Sequence, residues 1–168
     1  MKPILLATDG SPSAAEATRE AIALAHELGV PLIATAVQHV TMPAYGYYGW
    51  PDVYSELLQA EDEHVHKVLA ETAELASEAG IVCETVPLEG AVAEQICALA
   101  AERDVELVVL GAHGWGAVRR LVFGSVSLGV LHEAPCPVLI ARVPAQDERR
   151  RSGKRTTSSS ATASHVAA

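Results

Sequence analysis

The chain is short of positive charge, of aromatic side chains, of cysteine and of long apolar runs, and each shortage closes off a class of protein. Only 12 of its 168 residues are lysine or arginine, against 21 acids. Five of those cations follow Pro144, which leaves seven basic and nineteen acidic residues before them. A body so acidic repels phosphate backbones, so a nucleic-acid-binding face on the folded part is not expected. No stretch approaches the ~18 consecutive apolar residues of a membrane span, and no membrane association is expected. Cys83, Cys97 and Cys136 are an odd number, widely spaced, with no CxxC pair. That argues against a disulfide framework or a zinc site and fits a reducing cytoplasm. The opening "MKPILLATDGSPS" is broken early by Thr8 and Asp9, and it reads as a buried first strand rather than a signal peptide.

What is present is apolar and periodic. About half the residues are hydrophobic, many of them alanine, and the length suits one domain with a full core. "PILLAT" is a short apolar run closed by the turn "DGSPS". Ser13 and Glu16 have capping-box spacing, and Pro12 discourages an earlier helix start. The first helix then carries Ala17, Ile22, Leu24, Ala25 and Leu28 and stops at Gly29. "PLIATAVQHV" reads as a second strand, apolar on both faces as buried parallel strands are. A long helix from about Val53 to Ala79 follows, with Leu57, Leu58, Val65, Val68, Leu69, Ala73 and Ala76 on one face. "VCETVPL" is a partly exposed third strand, and a helix from about Val92 to Glu102 comes next. "VELVVLGA" is the most apolar strand, a helix begins near Ser125 and ends about His132, and "CPVLIARV" is a fifth strand.

Strands alternating with helices imply right-handed βαβ crossovers. The fold class is therefore α/β, a three-layer sandwich around a five-stranded parallel sheet. Ligands in such sheets sit beyond the carboxyl ends of the strands, where strand order reverses. That edge would carry Asp9, the end of the second strand at His39 and Val40, and Gly111 onward. The domain is expected over residues 1–144. From 145 to 168 the chain is basic and rich in Ser, Thr and Ala, and it reads as a disordered tail.

The segment "GAHGWGAVRRLVFGSVS", Gly111 to Ser127, carries the chemistry. It follows a buried strand and leads into a helix, whose N-terminus offers unpaired N–H groups and partial positive charge to an anion. Glycines let backbone approach a ligand closely. No GxxxxGK[ST] occurs, and no GxGxxG follows the first strand, so neither the P-loop nor the dinucleotide fingerprint is present. The spacing is more specific than the glycine content: Gly111, two residues, Gly114, nine residues, then Gly124 and Ser125.

This spacing resembles the G-2x-G-9x-G(S/T) pattern of the ATP-binding group of the universal stress protein (UspA-like) family. "ILLATDGSPSAAEA" and "EGAVAEQI" are also similar to its first strand and its third-strand exit. The likeness runs from about Lys2 to Val143. It implies a Rossmann-like sheet of the adenine nucleotide alpha hydrolase type, ATP as ligand with Mg as a candidate companion ion, a homodimer through the last strand, and a stress-response role. Carried over by position, Asp9 would meet the adenosine part and Val40 would pack beside adenine. Gly111 and Gly114 would turn over ribose and phosphates, with His113 between them. Gly124, Ser125, Val126 and Ser127 would hold the phosphates. Two places depart from the family pattern: Trp115 stands where a polar residue is common, and Leu128-Gly129 where a charged pair is usual.

Other features have plainer readings. Asp9 could cap its own turn, although the glycine motif favours a nucleotide contact. Arg119 and Arg120 read as solvated spacer residues. Ser125 can serve as helix cap and phosphate neighbour together. His113 has no nucleophile partner fixed by the sequence, so it reads as structural or ligand-adjacent. No general base is placed for attack on a γ-phosphate, and at most slow ATP hydrolysis is expected. His64 and His66, two apart on a helix, face different directions and do not suggest a metal site. Cys97 reads as core. All four tyrosines and Trp50 lie between Tyr45 and Tyr54, which suggests either a loop folded on its own helix or a lid or partner surface beside adenine. A partner-binding stress module without nucleotide is the alternative function.

Overall fold

The computed structural model describes residues 1–38, 51–114 and 123–143. The segments holding Val40, the tyrosine-rich loop, Trp115, Arg119, Arg120 and the basic tail lie outside the described residues. Five strands and four helices alternate: β1 (Ile4–Ala7), α1 (Pro12–Leu28), β2 (Leu32–Gln38), α2 (Pro51–Glu78), β3 (Cys83–Glu89), α3 (Val92–Glu102), β4 (Leu107–Gly111), α4 (Ser125–Glu133) and β5 (Val138–Ala141). All pairings are parallel, in the order β3-β2-β1-β4-β5. The chain builds outward from β1 in one direction, then returns to its other side at β4. That reversal opens a crevice at the carboxyl ends of β1 and β4.

The alternation of side chains along each strand divides the core into two layers. Leu5, Ala7, Val108 and Leu110 pack with Ile96, Leu99, Ala100 and Val130 of α3 and α4. Ile4, Leu6, Leu32 and Val109 face Ala17, Ala21 and Ala25 of α1. Ala34 and Ala36 meet Val65 and Leu69 of α2. The central strands are apolar on both sides because both sides are covered. β3 is an edge strand with Glu84, Thr85, Pro87 and Glu89 exposed, which explains its mixed composition. The helix faces read from periodicity hold in their middles. Leu28 and Leu57 are exposed instead.

The start of α1 differs from the capping-box expectation. Ser11 is the N-cap, its hydroxyl accepting from the Ala14 N–H at 3.2 Å, and Pro12 occupies the first turn. Proline is well suited there, since its missing N–H would be unpaired anyway. Glu16 pairs with Arg19. Ser13 is thereby released for a contact far away in sequence.

Candidate functional site

A cavity of about 680 Å³ lies in the crevice at the sheet's reversal point. β1 contributes Ala7, with Thr8 and Asp9 just beyond it; β2 contributes Thr35, Ala36 and Val37; β4 and the residues after it contribute Leu110, Gly111, His113 and Gly114. α4 opens onto it through Gly124, Ser125, Val126 and Ser127. Eight of the nine residues expected to form the site therefore line one cavity, although they lie more than a hundred positions apart in sequence. The ninth, Val40, lies outside the described residues.

The β1–α1 turn and the β4–α4 connection are tied together. Asp9 Oδ1 accepts from the Ser11 N–H at 3.0 Å, and Thr8 Oγ1 accepts from the Gly10 N–H at 3.3 Å. Across the crevice, the Ser11 and Ser13 hydroxyls both donate to the His113 carbonyl. The His113 N–H approaches Ser13 Oγ at 3.2 Å. The "DGSPS" turn thus grips the backbone of the glycine-rich segment.

Each motif glycine has its own reason. A Cβ on Gly111 would come within 2.7 Å of the Ser13 carbonyl carbon and 2.8 Å of the Ala14 nitrogen, so the glycine is demanded by α1 packing across β4. At Gly114 the same atom would lie 2.6 Å from Asp9 Oδ2. Gly124 is different: its nearest neighbour would be the Ala112 carbonyl oxygen at 3.4 Å, an ordinary contact. Nothing in the described protein requires glycine there.

Gly124 is the N-cap of α4 and offers no side-chain cap. Its carbonyl accepts from the Leu128 N–H, so the amides of Ser125, Val126 and Ser127 are the orphan donors of this helix end. Among the described residues none of them has an acceptor. The Ser127 hydroxyl is otherwise engaged, donating to the carbonyls of Gly111 at 3.0 Å and Ala112 at 3.1 Å. It staples α4 to the end of β4, which leaves the backbone amide as the donor that Ser127 can offer a ligand.

One wall was not anticipated. Glu61, His64, Val65 and Val68, a single stripe of α2, line the cavity as well. His64 Nε2 lies 3.1 Å from the Asp9 carbonyl oxygen. Gly10, at φ +72, leaves room for Val68, whose Cγ2 a Cβ would meet at 2.8 Å. The sequence held this signal only as an i, i+3, i+4, i+7 helical spacing, which core packing alone would also produce. His66 points elsewhere, to Asp62 at 3.6 Å, as the two-residue spacing requires. The described lining therefore holds two carboxylates and two imidazoles, and no lysine or arginine.

The parallel sheet with its order reversing between β1 and β4, and a crevice at that reversal, define a doubly wound α/β protein. The model of the universal stress protein family matches residues 1–142. A universal stress protein of Thermus aquaticus is 40% identical over 142 residues, covering 84% of this chain and 98% of that one. The UspA structure from Lactobacillus plantarum superposes with a TM-score of 0.73 at 28% identity, over 84% of this chain and 97% of that one. A universal stress protein solved in complex with cAMP matches at a TM-score of 0.63 and 25% identity, over 83% and 96%. The chain belongs to the universal stress protein family.

Proposed function

We propose that the cleft binds an adenine nucleotide, ATP included, and that the protein serves a stress-response or regulatory role through that binding. One observation carries the reading: Ser125, Val126 and Ser127 at the start of α4, whose amides have no acceptor among the described residues, line the same cavity as Asp9. A carboxylate suits the hydroxyl and amino groups of an adenosine, and helix-end amides suit a phosphate. The cavity volume lies within the ~300–1,000 Å³ typical of small-ligand sites. Among the similar structures, one holds cAMP.

The apolar strand ends Thr35 to Val37 and the side chains of Val92 and Ile96 suit the adenine ring. Ser125, Val126 and Ser127 would take the phosphates through their N–H groups, with Gly124 leaving the approach open. We assign no efficient hydrolysis to the cleft, and Mg would act there as a companion of the phosphates. We further propose a homodimer through β5, an edge strand whose Val138, Leu139 and Ile140 are only half-buried. Leu128 and Leu131, one turn apart on α4, are exposed beyond it. A cytoplasmic setting accords with three free thiols.

Titration calorimetry with ATP, AMP and cAMP tests the reading. Saturable heat with at least one of them is expected from wild type, and weaker binding from Gly124→Val. If all three nucleotides leave the folded protein silent, the family role here is partner binding without nucleotide. Sedimentation of the nucleotide-free and nucleotide-bound protein tests the dimer.

A further inference from the structure

The described cleft wall holds one phenyl ring, that of Phe123, the only phenylalanine of the chain. It stands one residue before Gly124, the N-cap of α4, and lines the same cavity as Ser125, Val126 and Ser127. The Arg142 guanidinium lies over this ring, 4.7 Å from its centroid. That is inside the ~6 Å within which a cation is drawn to the face of an aromatic ring. Arg142 does not itself line the cavity, so its contact with the cleft is made through the ring.

The sheet fixes both partners. Arg142 follows Ala141, the last residue of β5, which pairs with Gly111 in the β4–β5 ladder. The Ala141 carbonyl accepts from the Ala112 N–H at 2.8 Å, and the Ala112 carbonyl accepts from the Gly124 N–H at 2.8 Å. The backbone on either side of the stacked pair is therefore tied to one residue at the exit of β4. With the backbones held, stacking acts on the orientation of the Phe123 side chain, because only one setting of the ring turns its face to the guanidinium.

A ring held at this place covers the start of α4. Amides at a helix end bind phosphate more strongly where water is excluded, since the local dielectric is lower. A ring free to turn aside would readmit water to them. We infer that Arg142 is a positioning residue for phosphate binding, holding Phe123 as the apolar wall beside the amides of Ser125, Val126 and Ser127. This rests on the nucleotide reading above and extends the site to the end of β5, which the glycine motif does not include.

Calorimetry of the full chain with ATP, AMP and adenosine tests it, in a double-mutant cycle of Phe123→Leu and Arg142→Gln. Arg142 is exposed, so its replacement is expected to leave the fold intact. Arg142→Gln should weaken the nucleotides about threefold, the size of an exposed cation–π contact, and leave adenosine unchanged. Arg142→Lys keeps a cation for the ring and should lie closer to wild type. Phe123→Leu keeps an apolar side chain without an aromatic face and should weaken the nucleotides at least as much. Added to Phe123→Leu, Arg142→Gln should cost nothing further, because the cation no longer has a ring to hold. An equal loss from Arg142→Gln in both backgrounds would mean that its charge meets the phosphates directly, and overturns the positioning role. No loss in the wild-type background, or an equal loss for adenosine, overturns it too; all three results leave the nucleotide reading standing. Silence of wild type toward all three ligands overturns the nucleotide reading, and this one with it.

Discussion

Gly114 and Asp9 meet so closely that a methyl group on the glycine would stand 2.6 Å from Asp9 Oδ2. The carboxylate occupies the space that any other residue at 114 would claim. Its position is therefore set from two sides, by the Ser11 N–H on one and by the bare glycine on the other. Gly114→Ala should leave the fold intact, since a carboxylate end can rotate away, yet it should displace Asp9. The expected result is a cooperative melt within a few degrees of wild type and a loss of nucleotide affinity of about tenfold, equivalent to about 1.4 kcal/mol. An unchanged affinity measured by calorimetry would remove Asp9 from the ligand contacts.

Gly111 and Gly124 belong to the same motif and should fail differently. At 111 the new methyl would press on the backbone of Ser13 and Ala14, which cannot step aside without shifting α1. Gly111→Ala should cost about 1–3 kcal/mol of stability, as overpacking does. Urea denaturation should show a lower midpoint at constant slope. Gly124→Ala meets only an ordinary contact and should unfold within about 1 kcal/mol of wild type, the difference being that between glycine and alanine as an N-cap. Its effect should fall on nucleotide affinity. A reversal of this pattern would place the anion contact elsewhere than α4.

Ser13→Ala removes the hydroxyl that joins α1 to both polar groups of the His113 backbone. Ser11 still donates to the His113 carbonyl, so one link remains. A destabilisation of about 1–2 kcal/mol is expected, because the His113 N–H loses its nearest oxygen in a part-buried place. Hydrogen exchange should report faster opening of the backbone at 112–114 than of the α1 centre. Equal protection at both would show the link to be dispensable.

Burial raises the pKa of all three thiols, Cys83, Cys97 and Cys136, above the ordinary range. A thiol whose pKa is higher folded than unfolded favours the native state while protonated. That contribution is complete below the ordinary thiol range and is lost as pH rises through and beyond it. Stability should hold to about pH 8 and then decline, and a Cys97→Ala variant should show a shallower decline. Ellman's reagent at pH 8 should label folded protein slowly and unfolded protein at once. Labelling of Cys97 in the folded chain as fast as in the unfolded chain would contradict its burial.

Local chemistry carried a good part of this in the sequence. Apolar runs bounded by turn residues located all five strands, and helical spacing located all four helices, α3 to the residue. The glycine spacing with Ser125 marked the start of α4, because a helix end advertises itself through its own neighbours. The capping box expected at Ser13 was a local reading that the structure does not follow. Ser11 caps α1, and the Ser13 hydroxyl contacts the His113 backbone, a hundred residues away.

Sequence by itself thus determined the element order, the parallel sheet it implies and eight of the residues that line the crevice at the reversal point. Those depend on backbone periodicity and turn chemistry, which act over a few residues. Tertiary structure alone decided why the glycines differ, Gly111 serving α1, Gly114 serving Asp9 and Gly124 facing the cavity. It also decided that α2 supplies a wall, with His64 on the Asp9 carbonyl. Both outcomes depend on which helix crosses which strand end and at what distance. Only the assembled core sets that geometry, because no local pattern encodes a contact between residues 9, 64 and 114.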